Sequence, residues 1–372
     1  MGNLTIIHFS PLELYPPVQN FIRTMEKNTG ENKITVFTTT GTFKELDLFV
    51  PFNTAIRIVR LGKSGQGINS FSRLHSYMLF YFGCISHLAI RRPKKILYYE
   101  TISSFPAWFY RRFFNRTVEL FIHYHEYTSP AEYQSGMKLT KLFHRLEKWL
   151  YPRAKWVSHT NNYRMELFET DIYPIKITNK QVVPNYPPHA WFKRAKVHVE
   201  EPVKVVYTGS LSMDTMYTKE FANWVLAQNG QVTWHVYAYN ITPDAKAFLE
   251  SAGTNNIVLK EGVNYGELPC ILQQYDAGVV LYKGHISNYV YNAPNKVFEY
   301  CVCGLDVWFP FVMKGTFPYK TVNSYPKVIP VDFSNLKGFN MQDAVNKDRL
   351  QFIEPHYFCE EAFECLIADF CK

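Results

Sequence analysis

The sequence predicts an α/β protein made of two parallel-sheet domains in tandem, and three observations carry that prediction. Short β-branched and aromatic runs alternate with helix-period segments along all 372 residues, the pattern of repeated strand–helix units. A stretch rich in proline, Val183-Pro184-Asn185-Tyr186-Pro187-Pro188, and a charged, patternless run to Pro202 interrupt the alternation once. The charge changes sign at the same place. Residues 1–202 hold 27 Lys and Arg against 15 Asp and Glu, whereas residues 203–372 hold 13 against 17, so the formal +8 combines a +12 half with a −4 half. With 47% hydrophobic and 19% charged residues, the chain has ample material for two cores and is not of disordered composition. The domains are therefore set at 1–185 and 203–355, with 186–202 as linker and 356–372 as a final helix packing back on the first domain.

In the first domain the expected strands are 4–9, 33–39, 56–61, 95–100, 118–126 and 156–160, each a short apolar or β-branched run. The helices between them, 16–29, 70–92, 105–114, 139–151 and 162–170, have the 3.6-residue period. Pro16-Pro17 suits a helix start, where a missing amide proton costs nothing. The second domain repeats the scheme with strands 203–208, 232–238, 256–261, 277–282, 305–309 and 327–331, and helices 219–228, 243–251, 267–275 and 295–303. Two such sheets leave a cleft between the carboxyl ends of their strands, where ligands of parallel sheets bind.

The start of the chain has neither a basic leader nor a long apolar core, which argues against a secretory signal. The longest apolar stretch, 76–90, is shorter than the roughly 20 residues that span a bilayer. The seven cysteines, at 84, 270, 301, 303, 359, 365 and 371, contain no Cys-x-x-Cys pair and are odd in number. That usage fits a reducing cytosol. The three Asn-x-Thr sequons are then chance matches.

The most informative segment is Tyr291-Asn292-Ala293-Pro294-Asn295-Lys296-Val297-Phe298-Glu299-Tyr300-Cys301-Val302-Cys303-Gly304-Leu305. Ala-Pro-Asn opens a helix that Gly304 closes. The leading N–H groups of Asn295, Lys296 and Val297 form an anion site at the positive end of the helix dipole. Glu299, about one turn in, can accept hydrogen bonds from a diol. An ordinary capped helix packed on a sheet is the plainer reading of the Pro-Asn-Lys tripeptide alone.

With these residues quoted, the chain resembles, over nearly its whole length, the retaining nucleotide-sugar glycosyltransferases of GT-B fold, glycosyltransferase family 4 or group 1 type. The resemblance implies that Glu299 holds the donor ribose and that the backbone at Asn295 and Lys296 meets the diphosphate. Gly209 and Ser210, after the strand Val205-Val206-Tyr207-Thr208, correspond to the turn that approaches the phosphates. Tyr237 and Val263 fall on the stretches beside the base. The family often has an acidic residue eight positions before the ribose glutamate; here it is Tyr291. It also usually places an arginine after the Gly-Ser turn, where this chain has Lys219 only. Lys283, at a strand end, is therefore ranked first to neutralise the leaving diphosphate, then Lys296, then Lys219.

On the acceptor side, the resemblance places His125 and Glu126, in Phe121-Ile122-His123-Tyr124-His125-Glu126, at a strand end beside the transferred sugar. Glu100 closes a neighbouring strand, and Tyr15 lies in the loop where the family often carries glycines. His123 and His125 share a strand face, but no third ligand is visible at metal spacing, so no metal or other cofactor is expected. The implied partners are a nucleotide sugar and a glycan or lipid-linked acceptor. Segments 70–95 and 105–116 interleave arginines with aromatics, which suits contact with anionic headgroups as well as a solvated helix flank; no nucleic-acid module is recognisable. The implied function is a hexosyl-type glycosyltransferase of surface polysaccharide synthesis, cytoplasmic or peripheral on the inner membrane face. The Tyr291 and arginine departures keep a non-catalytic binding subunit open, and the shared architecture keeps a nucleotide-sugar epimerase open.

Overall fold

A computed structural model describes residues 3–28, 30, 32–42, 46–65, 67–193, 200–252, 255–345 and 352–371. The chain forms two compact units, Met1–Pro184 with Cys359–Lys372, and Asn185–Phe358.

In the first unit the elements run β1 (Leu4–His8), α1 (Pro16–Asn28), β2 (Ile34–Thr40), β3 (Ile56–Lys63), α2 (Ser70–Arg91), β4 (Lys95–Tyr99), α3 (Ser104–Phe113), β5 (Glu119–Tyr124), α4 (Pro130–Ser135), α5 (Lys138–Glu147), β6 (Trp156–His159), α6 (Asn162–Ile172) and β7 (Lys180–Val182). The seven strands are parallel in the order β3-β2-β1-β4-β5-β6-β7. Strands β1, β4 and β5 lie at the centre of this sheet and are almost wholly buried, as expected of strands covered on both faces. Asn69 caps α2 by accepting the N–H of Ser72 at 2.8 Å.

The second unit runs β8 (Val203–Thr208), α7 (Thr218–Ala227), β9 (Val232–Ala238), α8 (Pro243–Ser251), β10 (Ile257–Glu261), α9 (Leu268–Leu272), β11 (Ala277–Val279), α10 (Ser287–Val290), α11 (Asn295–Val302), β12 (Asp306–Pro310), β13 (Val328–Val331) and α12 (Met341–Ala344). Its six parallel strands follow the order β10-β9-β8-β11-β12-β13. Both sheets reverse strand order at their first strand, the Rossmann-like arrangement that gathers ligands at the carboxyl ends of the central strands.

The last helix, α13 (Cys359–Cys371), belongs to the first unit. Phe363 meets Phe21 edge-on at 5.2 Å, and Phe370 lies 4.6 Å from Phe121 between ring centroids. Residues 186–193, assigned by sequence to a linker, pack on the second unit instead. Tyr186 sits 4.6 Å from Phe298 and Trp191 sits 4.5 Å from Tyr265, because these rings find apolar surface beside α11. Residues 194–199 of that stretch lie outside the described residues. Among the described residues no helix is long and apolar enough to cross a membrane.

Candidate functional site

In the second unit, β8 ends in Gly209, whose φ of +112° is a conformation that side-chain-bearing residues rarely adopt. Its N–H donates to the carbonyl of Tyr237 at 2.9 Å, so the turn after β8 is tied to β9. A Cβ at this position would stand 3.0 Å from Nζ of Lys296. The glycine thus leaves room for the lysine, which reaches back from the first turn of α11. The ammonium lies over the rings of Tyr207 and Tyr282, at 5.3 and 5.5 Å from their centroids.

Helix α11 has Pro294 at its N-cap, and a proline side chain offers no oxygen to the leading N–H groups. Sequence reasoning expected three such groups; Val297, however, donates to the carbonyl of Pro294 at 3.0 Å, leaving Asn295 and Lys296 to lead the helix. One turn later Glu299 is 2% exposed. Its Oε1 accepts Nδ2 of Asn295 at 2.7 Å. Burial pushes this carboxyl up to about 7, against the opposing pull of Asn295, Lys296 and Tyr265. An anion-binding helix start and a hydrogen-bond-accepting carboxylate are therefore one turn apart, with a cation between them and the Gly209 turn.

The other residues expected at the donor site are placed as follows. Ser210 is exposed next to Gly209, and its carbonyl accepts the hydroxyl of Tyr207. Tyr237, next to last in β9, has its hydroxyl 2.9 Å from that of Tyr275, which in turn meets Nδ1 of His235 at 2.7 Å. Val263 is half-buried just before a turn in which Asn264 and Glu267 cap each other reciprocally. Tyr291, standing where the resembled family often has an acid, ends α10 and donates its N–H to the carbonyl of Ser287 at 3.0 Å.

Lys283 is engaged elsewhere. Its Nζ donates to the carbonyl of Met213 at 2.9 Å and lies 3.8 Å from Oε1 of Glu220. The segment 212–217 folds onto the stretch after β11 through Tyr217 N–H to Leu281 and Lys283 N–H to Thr215, and this supplies the carbonyl. Lys296, not Lys283, is the cation at the glycine turn. Tyr300 was not anticipated: its hydroxyl accepts the N–H of Thr208 at 3.1 Å, and its ring fills the space that any side chain on Gly278 would need. The signal was present in the absence of a side chain at Gly278 within a buried strand.

In the first unit, a second cluster sits at the carboxyl ends of β1, β4 and β5. His8 meets Tyr15 edge-on at 4.6 Å and Tyr99 at 5.6 Å. Tyr99 stacks on His125 at 5.1 Å. Nε2 of His123 is 3.2 Å from Nδ1 of His125, and Nδ1 of His123 is 2.7 Å from Oγ of Ser158. Because the Ser158 hydroxyl donates to the carbonyl of Ile122 at 3.1 Å, the network assigns protons in sequence. His123 donates from Nδ1 to the serine, His125 donates from Nδ1 to His123, and Nε2 becomes the acceptor nitrogen of His125. Burial, helped by its histidine neighbours, holds His123 well below the usual imidazole range.

Glu100 has a φ of +61° and gives its Oε1 to the N–H groups of His125, at 2.7 Å, and Glu126, at 3.2 Å. This carboxyl braces the turn after β5 from within. Burial, with Glu126 adding to it, raises the Glu100 carboxyl to about 8. Glu126 itself is exposed. Arg164, also missed from sequence, donates to the carbonyl of His125 at 2.6 Å and to Thr160 Oγ1 at 2.9 Å. His8, Tyr99 and Arg164 could have been found by asking which polar residues end adjacent strands or follow a strand-end helix cap. Among the described residues no group of three His, Cys, Asp or Glu is arranged to hold a metal ion.

No known family model and no curated protein matches the sequence. Solved structures do resemble the fold. HepE from Anabaena, in complex with UDP and glucose, shares it with a TM-score of 0.67 at 12% identity, over 99% of each chain. Sucrose-phosphate synthase from Thermosynechococcus elongatus gives 0.66 at 12% identity, over 100% of this chain and 96% of its own. The UDP-GlcNAc 2-epimerase of Methanocaldococcus jannaschii gives 0.56 at 12% identity, over 98% of each. The fold is thus the GT-B arrangement of two Rossmann-like domains, which glycosyltransferases and epimerases have in common.

Proposed function

We propose that this protein is a retaining glycosyltransferase that moves a sugar from a nucleotide-diphosphate donor to a glycan or lipid-linked acceptor in surface polysaccharide synthesis, working at the inner face of the cytoplasmic membrane. The observation that carries the reading is the grouping of Gly209, Lys296, the start of α11 and Glu299. A nucleoside diphosphate needs a cationic, donor-rich pocket for phosphate and an acceptor for its ribose diol, and this grouping supplies both within one helical turn.

On this reading the second unit binds the donor, with Tyr237 and Val263 near the base. Lys296 and the N–H groups of Asn295 and Lys296 stabilise charge on the departing diphosphate, without a bound metal. Lys283 supports the 213–220 segment beside them. The first unit takes the acceptor, with His125 and Glu126 as its polar contacts and Glu100 and Tyr15 shaping their surroundings. With retention through attack on the leaving-group side, the departing phosphate accepts the acceptor proton, so no protein nucleophile is required.

An epimerase is the second reading, because epimerases share the fold over the same extent. A thermal-shift screen of UDP-, GDP- and ADP-sugars, followed by incubation with the labelled sugar nucleotide that stabilises the protein, separates them. Slow release of nucleoside diphosphate supports the transferase, and free epimerised sugar nucleotide supports the epimerase. Binding without turnover supports a non-catalytic subunit. Unchanged nucleotide affinity in Glu299→Ala, by calorimetry, would overturn the donor site itself.

A further inference from the structure

The strand order of the first sheet reverses between β1 and β4, and ligands of parallel sheets bind in the crevice outside the carboxyl ends of the strands at such a reversal. His8 is the last residue of β1 and Tyr99 the last of β4, and the two are partners in the ladder register. In the second sheet the same reversal falls between β8 and β11, where Thr208 ends β8 and Gly209 leads into the turn beside Lys296. His8 thus occupies in the first unit the position that Thr208, just before the glycine turn, occupies in the second.

His8 is 1% exposed, and neither of its ring nitrogens makes a hydrogen bond. The backbone of Ser10 is the least of the influences on its charge and lies outside hydrogen-bond geometry. A buried polar group left unpaired is costly, so its retention calls for a partner that the folded chain itself does not supply. Burial, with His125 adding to it, lowers His8 to about 3. The ring is therefore neutral at working pH and carries one N–H donor and one acceptor nitrogen. His159 is buried without partners as well, but it ends β6, two strands from the reversal, against the rings of Tyr124 and Phe168. Around His8 stand Tyr15 and Tyr99, edge-on at 4.6 and 5.6 Å, with His125 stacked on Tyr99.

The neighbouring charges select the ligand. Glu126 and Glu100 both act on Tyr15, and the cation that acts on Glu100, Arg164, directs its guanidinium to the carbonyl of His125 and to Thr160 Oγ1. A phosphate or carboxylate at His8 would face Glu126, of its own sign, and an imidazole that supplies no charge. A hydroxyl, which donates and accepts at once, matches a neutral imidazole that does the same. From this we infer that His8 is the specificity residue of the acceptor site, its ring nitrogens holding an uncharged sugar hydroxyl at the reversal between β1 and β4 and refusing acceptors whose phosphate or carboxylate must enter there. On the reading of the first unit as the acceptor side, on which this rests, the group received is a neutral sugar.

The test is NMR of the full chain labelled with carbon-13 at the histidine ring carbons, the His8 signal being assigned by its Overhauser contacts to the rings of Tyr15 and Tyr99. The neutral probes are the methyl glycosides of glucose, galactose, mannose and N-acetylglucosamine; the charged ones are glucose 1-phosphate and glucuronate. At least one neutral sugar is expected to shift the His8 signal saturably, and the charged sugars to leave it in place. His8→Phe is expected to bind that neutral sugar at least about tenfold more weakly, and His8→Gln, which keeps a donor and an acceptor, to retain more of the affinity. Nucleotide-sugar affinity by calorimetry is expected to be unchanged in both. If either variant lacks a cooperative thermal transition, the titration of the unaltered protein decides. A His8 signal that no neutral sugar moves, or that the charged sugars move equally, would overturn the inference and leave His8 a packing residue. So would undiminished sugar binding by the folded His8→Phe variant. Absence of nucleotide binding in the unaltered protein would instead overturn the donor site, and the His8 titration would still be read.

Discussion

Nε2 of His123 lies 3.2 Å from Nδ1 of His125, and this contact decides which nitrogen of His125 accepts a proton. The order is set three groups away, by Ser158 donating to the carbonyl of Ile122. Ser158→Ala removes the acceptor for His123 Nδ1 and releases both rings to the other tautomer. Turnover of the labelled nucleotide sugar is expected to fall about tenfold, with an altered pH profile, while nucleotide affinity stays constant. An unchanged pH profile would make the serine a packing residue only.

Nucleotide binding should depend on pH through Glu299, whose carboxyl burial lifts to about 7. Ribose hydroxyls donating to it favour the ionised form, so binding lowers its pKa and expels a proton. Affinity is therefore expected to drop as pH falls from about 8 to about 6, approaching tenfold per pH unit at the acid end. Calorimetry in buffers of different ionisation enthalpy measures the released proton, and Glu299→Gln should abolish its release.

Gly209→Ala forces a side chain into a backbone with φ of +112° and sets its Cβ 3.0 Å from the Lys296 ammonium. The expected result is roughly tenfold weaker binding of a nucleoside diphosphate, from a strained turn and a displaced cation. The corresponding nucleoside, having no phosphate, should bind as before. Equal loss for both ligands would move the defect from the phosphate turn to the base and ribose contacts.

Stability should also respond to pH through Glu147, which is fully buried. It accepts Thr101 Oγ1 at 2.8 Å and the Tyr151 hydroxyl at 3.2 Å. Burial raises its carboxyl to about 7 from 4.5. The folded state holds the proton more tightly, so this group favours folding below about 4.5 and loses that advantage as pH rises through about 7. Stability, followed by the melting temperature, is expected to fall between about pH 4.5 and 7.5, and Glu147→Gln should reduce that fall by an amount on the order of 2 kcal/mol. A slope unaffected by the substitution would assign it to Glu100 and Glu299.

The alternation of strands and helices was legible because strands buried on both faces are written as apolar runs. Strands β8 and β9 begin and end where the sequence expects them. Strand β7 was not legible: Lys180–Val182 is a three-residue edge strand with no apolar run. Strand β11 stops at Val279, short of the expected Tyr282, because Tyr282 pairs antiparallel with Met216. That pairing also explains why the lysines were misranked. A lysine at a strand end is visible in sequence, but the carbonyl of Met213 that holds Lys283 and the glycine that admits Lys296 are brought together only by tertiary packing.

The return of α13 to the first unit has a consequence for the order in which the protein is made. Phe121 and Trp156 emerge early from the ribosome, yet the ring of Phe370 that covers them, at 4.6 and 6.2 Å, follows the entire second unit. The second unit is a single uninterrupted piece and can finish folding during synthesis. The unit begun first is completed last.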